Sequence, residues 1–228
     1  MENRIRVTIL DDHQSIVDGY LLRLGKVPQI EVITTLAYGE ELEAALQKQV
    51  PDVLILDVNV PLSAENPNPY PILHTIPDLL QRYSDLAILV ISMHADRSII
   101  RAVMEGGASG YILKEDRGTI QELGSVILSV VNGGIYLSEK ARNIYMKNRN
   151  ATREEPLTGR QMEVLSLCAA YPDRTTSQLA QMMSVANSTV RNLLSGAYLR
   201  LGVRTRAAAI AKARQLGLIT PDSPALPS

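Results

Sequence analysis

The sequence predicts a doubly wound α/β domain on a five-stranded parallel sheet, followed by a small all-α domain. Three observations carry this. Short β-branched runs alternate with amphipathic stretches up to Val131, only helical spacing recurs after Pro156, and the two halves of the chain differ in the sign of their charge.

The first β-branched run is Ile5 to Leu10, and Ile16, Val17, Tyr20, Leu21 and Leu24 then recur at helical spacing. A second run covers Ile30 to Thr34, with a helix around Glu40 to Gln49. A third covers Val53 to Leu56, with a helix ending near Tyr83. The fourth and fifth pairs are Ala87 to Ile91 with Ser98 to Glu105, and Gly110 to Leu113 with Ile120 to Val131. Five strand and helix pairs in series imply parallel strands with helices on both faces, and the expected strand order is 2-1-3-4-5. From Ser138 to Pro156 the chain turns polar and loses its periodicity, which reads as a linker. Helical patterns return at Gly159 to Ala170, Thr176 to Met183, Ser188 to Leu201 and Arg206 to Leu216. The proline-bearing tail from Thr220 is expected to be disordered. The expected boundaries are therefore 1–137 for the α/β domain, 138–155 for the linker, 156–219 for the helical domain and 220–228 for the tail. One stretch fits poorly. Pro61 to Pro77 contains five prolines where a short strand-to-helix loop is expected, so a long stiff loop is predicted there.

Composition narrows the function. The 228 residues contain no apolar run long enough to span a bilayer, and the N-terminus reaches charge at once, so a cytoplasmic protein without membrane contact is expected. The single cysteine, Cys168, stands among Val164, Leu165 and Leu167 and reads as a buried apolar residue. The net charge of −1 divides into 14 Lys and Arg against 19 Asp and Glu up to residue 151, and 9 against 5 beyond it. A basic C-terminal half is compatible with nucleic acid.

Ligands of an open parallel sheet bind at the carboxyl ends of its strands. Here strand one ends in Asp11 and Asp12, strand three in Asp57, strand four in Ser92 and strand five in Lys114. Three carboxylates at one rim repel one another and call for a cation, and Mg²⁺, a hard ion with oxygen ligands, suits them. Asp57 can then attack phosphorus and form an aspartyl phosphate, with Lys114 offsetting charge and the Ser92 hydroxyl bonding the product. His13 and His94 flank this rim and His74 lies on a helix, all without ligand spacing.

The segments Leu10-Asp11-Asp12-His13, Leu56-Asp57-Val58-Asn59-Val60-Pro61, Ser92-Met93-His94 and Gly106-Gly107-Ala108-Ser109-Gly110-Tyr111-Ile112-Leu113-Lys114 resemble the receiver domains of NarL/FixJ-type response regulators. The resemblance spans residues 5 to 137 and implies a flavodoxin-like sheet. It also implies that Asp57 is the phosphoacceptor, that Asp11, Asp12, Asp57 and the Asn59 carbonyl surround Mg²⁺, and that Lys114 and Ser92 read the phosphoryl group. Tyr111 would be the switch aromatic, swinging inward when Ser92 moves. Glu115 stands where many receivers have proline, and the proline-rich loop replaces a short turn.

In Ser188 to Leu201 the residues Val190, Leu193, Leu194, Ala197 and Leu201 share one helical face. This leaves Ser188, Arg191, Asn192 and Ser195 on the other, to be presented outward while the apolar face packs on Leu179, Met182 and Met183. Together with Leu157 to Leu165, Thr189-Val190-Arg191 and Leu201-Gly202-Val203-Arg204-Thr205-Arg206, this helix resembles the LuxR-type helix-turn-helix. The resemblance assigns Thr189 to a phosphate contact, Arg191, Asn192 and Ser195 to the major groove, and Arg204 or Arg206 to the backbone. Departures are Leu193 for histidine, Gln161 for glutamate, the segment Tyr171 to Arg174, and the mid-helix Gly196, which costs about 1 kcal/mol against alanine.

These readings converge on a non-enzymatic transcriptional regulator. A histidine kinase or small phosphodonor charges Asp57, the protein pairs as a homodimer, and promoter DNA is bound. A regulator controlled by a ligand or protein instead of phosphorylation is the alternative. An aspartyl-phosphate phosphatase is disfavoured because Asn59, two residues after the nucleophile, cannot exchange a proton.

Overall fold

A computed structural model of the chain describes residues 4–146 and 157–219. The parallel sheet forms in the order β2-β1-β3-β4-β5-β6. Its strands are β1 (Ile5–Leu10), β2 (Ile30–Leu36), β3 (Val53–Leu56), β4 (Ala87–Ser92), β5 (Gly110–Leu113) and β6 (Tyr136–Leu137). The central strands β3, β4 and β5 are buried along their whole length, as continuous apolar runs covered by helices on both faces must be. The helices of this domain are α1 (Gln14–Leu24), α2 (Glu41–Lys48), α3 (Ile72–Arg82), α4 (Arg97–Glu105), α5 (Arg117–Gln121) and α6 (Leu123–Val131).

Three expectations change. The sheet gains a sixth strand, because β6 pairs in parallel with β5 through Gly110–Tyr136 and Tyr111–Leu137. The stretch expected to be a linker from residue 138 begins instead with a docked helix, α7 (Glu139–Met146). Buried Ser138 ties it down: its amide donates to the Tyr111 carbonyl at 3.0 Å and its hydroxyl accepts from the Leu113 amide at 3.2 Å. Ala141 is the one fully buried side chain of α7, too little to give an apolar period. The rest of the expected linker, from 147, and the tail 220–228 lie outside the described residues. Third, the proline-rich loop ends at Pro71, and Pro77 stands inside α3. Ile72, Ile76, Leu79 and Leu80 bury one stripe of that helix while Pro77 faces solvent, so packing offsets the roughly 3 kcal/mol that an interior proline costs.

The shortened loop is itself folded. Pro61 and Pro69 form an isolated antiparallel bridge, and the Leu62 amide donates to the Asn68 carbonyl at 2.8 Å. The amides of Gly39 and Glu40 donate to the carbonyls of Pro61 and Leu62 at 2.9 and 3.0 Å, fastening the loop to the start of α2. Tyr70 lies so close to Gly39 that a Cβ there would fall 2.1 Å from its ring.

The C-terminal domain comprises α8 (Gly159–Ala170), α9 (Thr176–Met182), α10 (Asn187–Leu201) and α11 (Arg206–Gln215). Capping boxes open α8 (Thr158 with Gln161) and α9 (Thr175 with Gln178). Two departures noted in the sequence explain each other. Gln161 is buried, its carbonyl oxygen accepts from the Thr158 amide at 3.0 Å, and a Cβ at residue 196 would lie 2.5 Å from its Nε2. Gly196 is thus the notch in α10 that admits the capping glutamine of α8. Cys168 is buried as expected. One apolar core runs from the α3 and α4 face of the sheet into the helical domain, so the two domains are packed together.

Candidate functional site: an acidic pocket and a covered helix

Four strand ends deliver the pocket. Asp11 follows β1, Asp57 follows β3, Ser92 ends β4 and Lys114 follows β5. Asp11 is 3% and Asp57 4% exposed, and the Lys114 side chain is 5% exposed. The Lys114 ammonium bridges the two carboxylates, at 2.8 Å from Asp11 Oδ2 and 2.6 Å from Asp57 Oδ2. The other Asp11 oxygen accepts from the His13 amide at 3.0 Å, and Asp57 Oδ1 accepts from the Asn59 amide at 3.4 Å. Asp12 is exposed and meets His13 Nδ1 at 2.9 Å.

Ligand atoms of Asp11, Asp12, Asp57 and His13 all lie within 4.8 Å of one another. Two nearly buried carboxylates with one more at the mouth form a hard, anionic oxygen donor set that is compatible with Mg²⁺. His13 had no ligand spacing in the sequence; the signal for it was adjacency to Asp12 alone.

Ser92 is buried, and its Oγ accepts from the His94 amide at 3.3 Å. Tyr111 is fully buried, with its hydroxyl donating to the His94 carbonyl at 2.7 Å. Its ring therefore already occupies the inward position that the resemblance reserves for the charged state. Burial pushes its hydroxyl pKa up to about 12, against a smaller opposing effect of a hydrogen bond with Ser92.

The second site departs from expectation. The polar stripe of α10 was predicted to face outward, yet α10 packs against α3 and α4. Asn187 Nδ2 donates to the Ser84 carbonyl and Arg191 Nη1 to the Leu86 carbonyl, both in the connection from α3 to β4. Asn192 abuts Gly107, where a Cβ would lie 2.8 Å from its Oδ1, and Ser195 is buried. Gly107 has φ +101°, so this close approach joins a backbone conformation and an absence of side chain that glycine alone provides. Burial lowers the Arg191 pKa, only partly countered by Asp85.

A second seam lies along β6. The Ile135 amide donates to the Arg204 carbonyl at 3.2 Å, and the Arg204 guanidinium lies 5.4 Å from the centre of the Tyr136 ring. Arg206 donates to the Arg174 carbonyl at 2.7 Å. Of the residues assigned to DNA, Ser188 is half-buried and Thr189 exposed; Met182, expected beneath α10, is exposed, while Leu179 and Met183 are buried. Asn187 was missed, although it precedes Arg191 and Ser195 by four and eight residues, one turn and two turns along the same face.

Residues 7–123 match the model of the response regulator receiver domain, and residues 155–213 that of the LuxR family of bacterial regulatory proteins. The chain is a response regulator of the NarL/FixJ family. The transcriptional regulatory protein DegU of Brevibacillus brevis is 30% identical over 96% of each chain. The transcriptional regulatory protein DesR of Bacillus subtilis is 28% identical, over 93% of this chain and 98% of the relative. Among solved structures, the RcsB response regulator of Salmonella typhimurium superposes with a TM-score of 0.56 at 23% identity. That superposition covers 92% of this chain and 98% of RcsB and supports the fold. Among the described residues no helix of this response regulator is long and apolar enough to cross a membrane.

Proposed function

We propose that this response regulator is a cytoplasmic, non-enzymatic transcription factor whose DNA-reading helix is held against its own receiver until Asp57 is phosphorylated. The observation that carries the proposal is the position of α10. Asn187 and Arg191, side chains suited to base edges and phosphates, donate instead to receiver carbonyls, in a chain whose Asp11, Asp57 and Lys114 meet at the strand ends.

A carboxylate oxygen of Asp57 attacks phosphorus, and the bond from phosphorus to a kinase histidine nitrogen or to the leaving oxygen of a small phosphodonor breaks. Asp11, Asp12, Asp57 and the Asn59 carbonyl would hold Mg²⁺, which supplies positive charge for the transferring group when bound. Lys114 already stands on the acceptor oxygen and passes to the phosphoryl group, while the Ser92 hydroxyl donates to it. Ser92, the 92–96 segment and Tyr111 are linked through His94, so movement of Ser92 reaches α4, on which both α7 and α10 rest. Release frees Arg191, Asn192 and Ser195 for the major groove and lets Ser188, Thr189, Arg204 and Arg206 meet the surrounding phosphates. A homodimer then gains affinity on paired half-sites.

The test is binding to promoter fragments by anisotropy, for the protein alone and with Mg²⁺ and acetyl phosphate or beryllofluoride. Tighter binding on charging, abolished in Asp57→Ala, is expected. Equal binding in all states defeats the phosphorylation switch and favours control by a ligand or protein.

A further inference from the structure

We propose that the cleft between the receiver and the helix-turn-helix is a binding site for a small oxyanionic metabolite, a phosphate or carboxylate. Its occupancy holds the regulator closed and off DNA. The inference rests on the closed and open states proposed above and adds a second input to them.

The cleft has a volume of about 540 Å³, in the range of pockets that accept small metabolites. The receiver contributes Ser109 and Asn132 to its wall, and the C-terminal domain contributes Arg174, Arg191 and Arg206. None of these three guanidiniums forms a salt bridge among the described residues. Arg191 and Arg206 donate to neutral carbonyls, those of Leu86 and Arg174. Asp85 and Asp173 also line the cleft without reaching bridging distance of any of the three. Three guanidiniums against two carboxylates that bridge none of them give the lining a net positive charge, and guanidiniums recognise oxyanions by paired N–H donors. Hydroxyls of Thr175, Thr176 and Ser195 stand on the same wall and suit the remaining oxygens. Arg174 belongs to the segment Tyr171 to Arg174 that departs from the LuxR-type pattern.

Control follows from geometry. Arg191 and Arg206 cannot serve the ligand and DNA at once, and the Asn132 wall is lost when the domains part. A ligand seated here therefore favours the closed form, and DNA and ligand must weaken each other by the same factor.

The test titrates the unphosphorylated full chain with inorganic phosphate and with succinate at constant ionic strength, by calorimetry and by the shift in unfolding temperature. One saturable site of millimolar or tighter affinity is expected, with lower affinity for promoter fragments in its presence. Phosphate or succinate dominance identifies the ligand class. Asn132→Asp, which sets a carboxylate on the receiver wall, and Arg174→Gln should each weaken the site about tenfold, the factor for one lost charge-assisted contact. Neither residue belongs to the proposed DNA contacts. No saturable binding by either method, or binding indifferent to both substitutions, overturns the proposal. The switch reading fails separately, if beryllofluoride leaves DNA affinity unchanged with no oxyanion present.

Discussion

Replacing Lys114 by methionine tests whether the pocket is held together by charge balance. The substitution keeps the length of the side chain and removes the ammonium that stands 2.8 and 2.6 Å from two nearly buried carboxylates. Carboxylate oxygens within 4.8 Å of one another then face each other uncompensated. At that separation and an effective dielectric of about 20, two unit charges repel by ~3.5 kcal/mol. This agrees with the ~3–5 kcal/mol lost when one partner of a buried ion pair is removed. Urea unfolding at neutral pH with a chelator should therefore show Lys114→Met less stable by about 3 kcal/mol. Added Mg²⁺ should restore much of the loss, since a ligand at a hundred times its Kd contributes about 2.7 kcal/mol. The magnesium increment should be larger in the variant than in the wild type, whose ammonium competes for the same oxygens. A loss below about 1 kcal/mol, or equal magnesium increments in the two proteins, would refute the charge-balance argument.

Asp85→Lys reverses the charge that faces the half-buried Arg191, and for this exposed position the swing is worth about 1 kcal/mol against closure. Promoter affinity without phosphodonor should rise about fivefold by anisotropy, and an unchanged affinity sinks the idea that this seam gates DNA. Gly196→Ala, stabilising by about 1 kcal/mol in an ordinary helix, should destabilise this one because its Cβ meets the capping Gln161, and Gln161→Ala in the same chain should remove the penalty. Urea denaturation of Gly196→Ala, Gln161→Ala and the double variant decides it, and a stabilised Gly196→Ala protein contradicts the notch. Burial raises the Asp52 carboxyl pKa, but bonds from the Arg6 guanidinium and amide outweigh it and hold the group below its ordinary 3.8. Its folded pKa is depressed, so the stabilisation is present above that value and lost as pH falls below it, and Asp52→Asn should show a shallower acid decline. After screening by solvent the effect is about 0.5 kcal/mol, measured as the difference in unfolding free energy between neutral and acid pH.

How much was legible in the sequence depended on whether each feature is local. The strand ends were readable because a parallel sheet places its loops by topology, so Asp11, Asp57, Ser92 and Lys114 had to meet at one rim wherever the helices lay. The inward Tyr111 was not, because its hydrogen bond to the His94 carbonyl joins β5 to the loop after β4 and leaves no spacing to read. The helix α7 was hidden for a similar reason: Ser138 bonds backbone groups of β5 and Ala141 is small, so the element carries almost no hydrophobic period. Pro77 misled because proline was given its usual breaking role, although the buried stripe through Ile72, Ile76, Leu79 and Leu80 continues across it. In α10 the polar face was read correctly as a face and wrongly as a solvent-exposed one. Amphipathicity separates the two sides of a helix but does not say whether the polar side meets water, DNA or another domain's carbonyls.

That last ambiguity bears on how such a switch works. Apolar side chains join the two domains in one core and favour the closed form. The contacts at the centre of the seam are hydrogen bonds from Asn187 and Arg191 to carbonyls, each worth ~1 kcal/mol net, or somewhat more for the charged donor. Against them stand the Oδ1 atoms of Asn187 and Asn192, buried with no hydrogen-bond partner among the described residues, each costing ~1–3 kcal/mol. The desolvated guanidinium of Arg191 adds to that cost. The gains and costs at this polar centre are of the same size, so closure rests on the apolar surroundings of α10. The groups proposed to read DNA make good closing contacts because a backbone carbonyl offers the same acceptor as a base edge. They make reversible ones because their remaining polar atoms are satisfied only outside the seam.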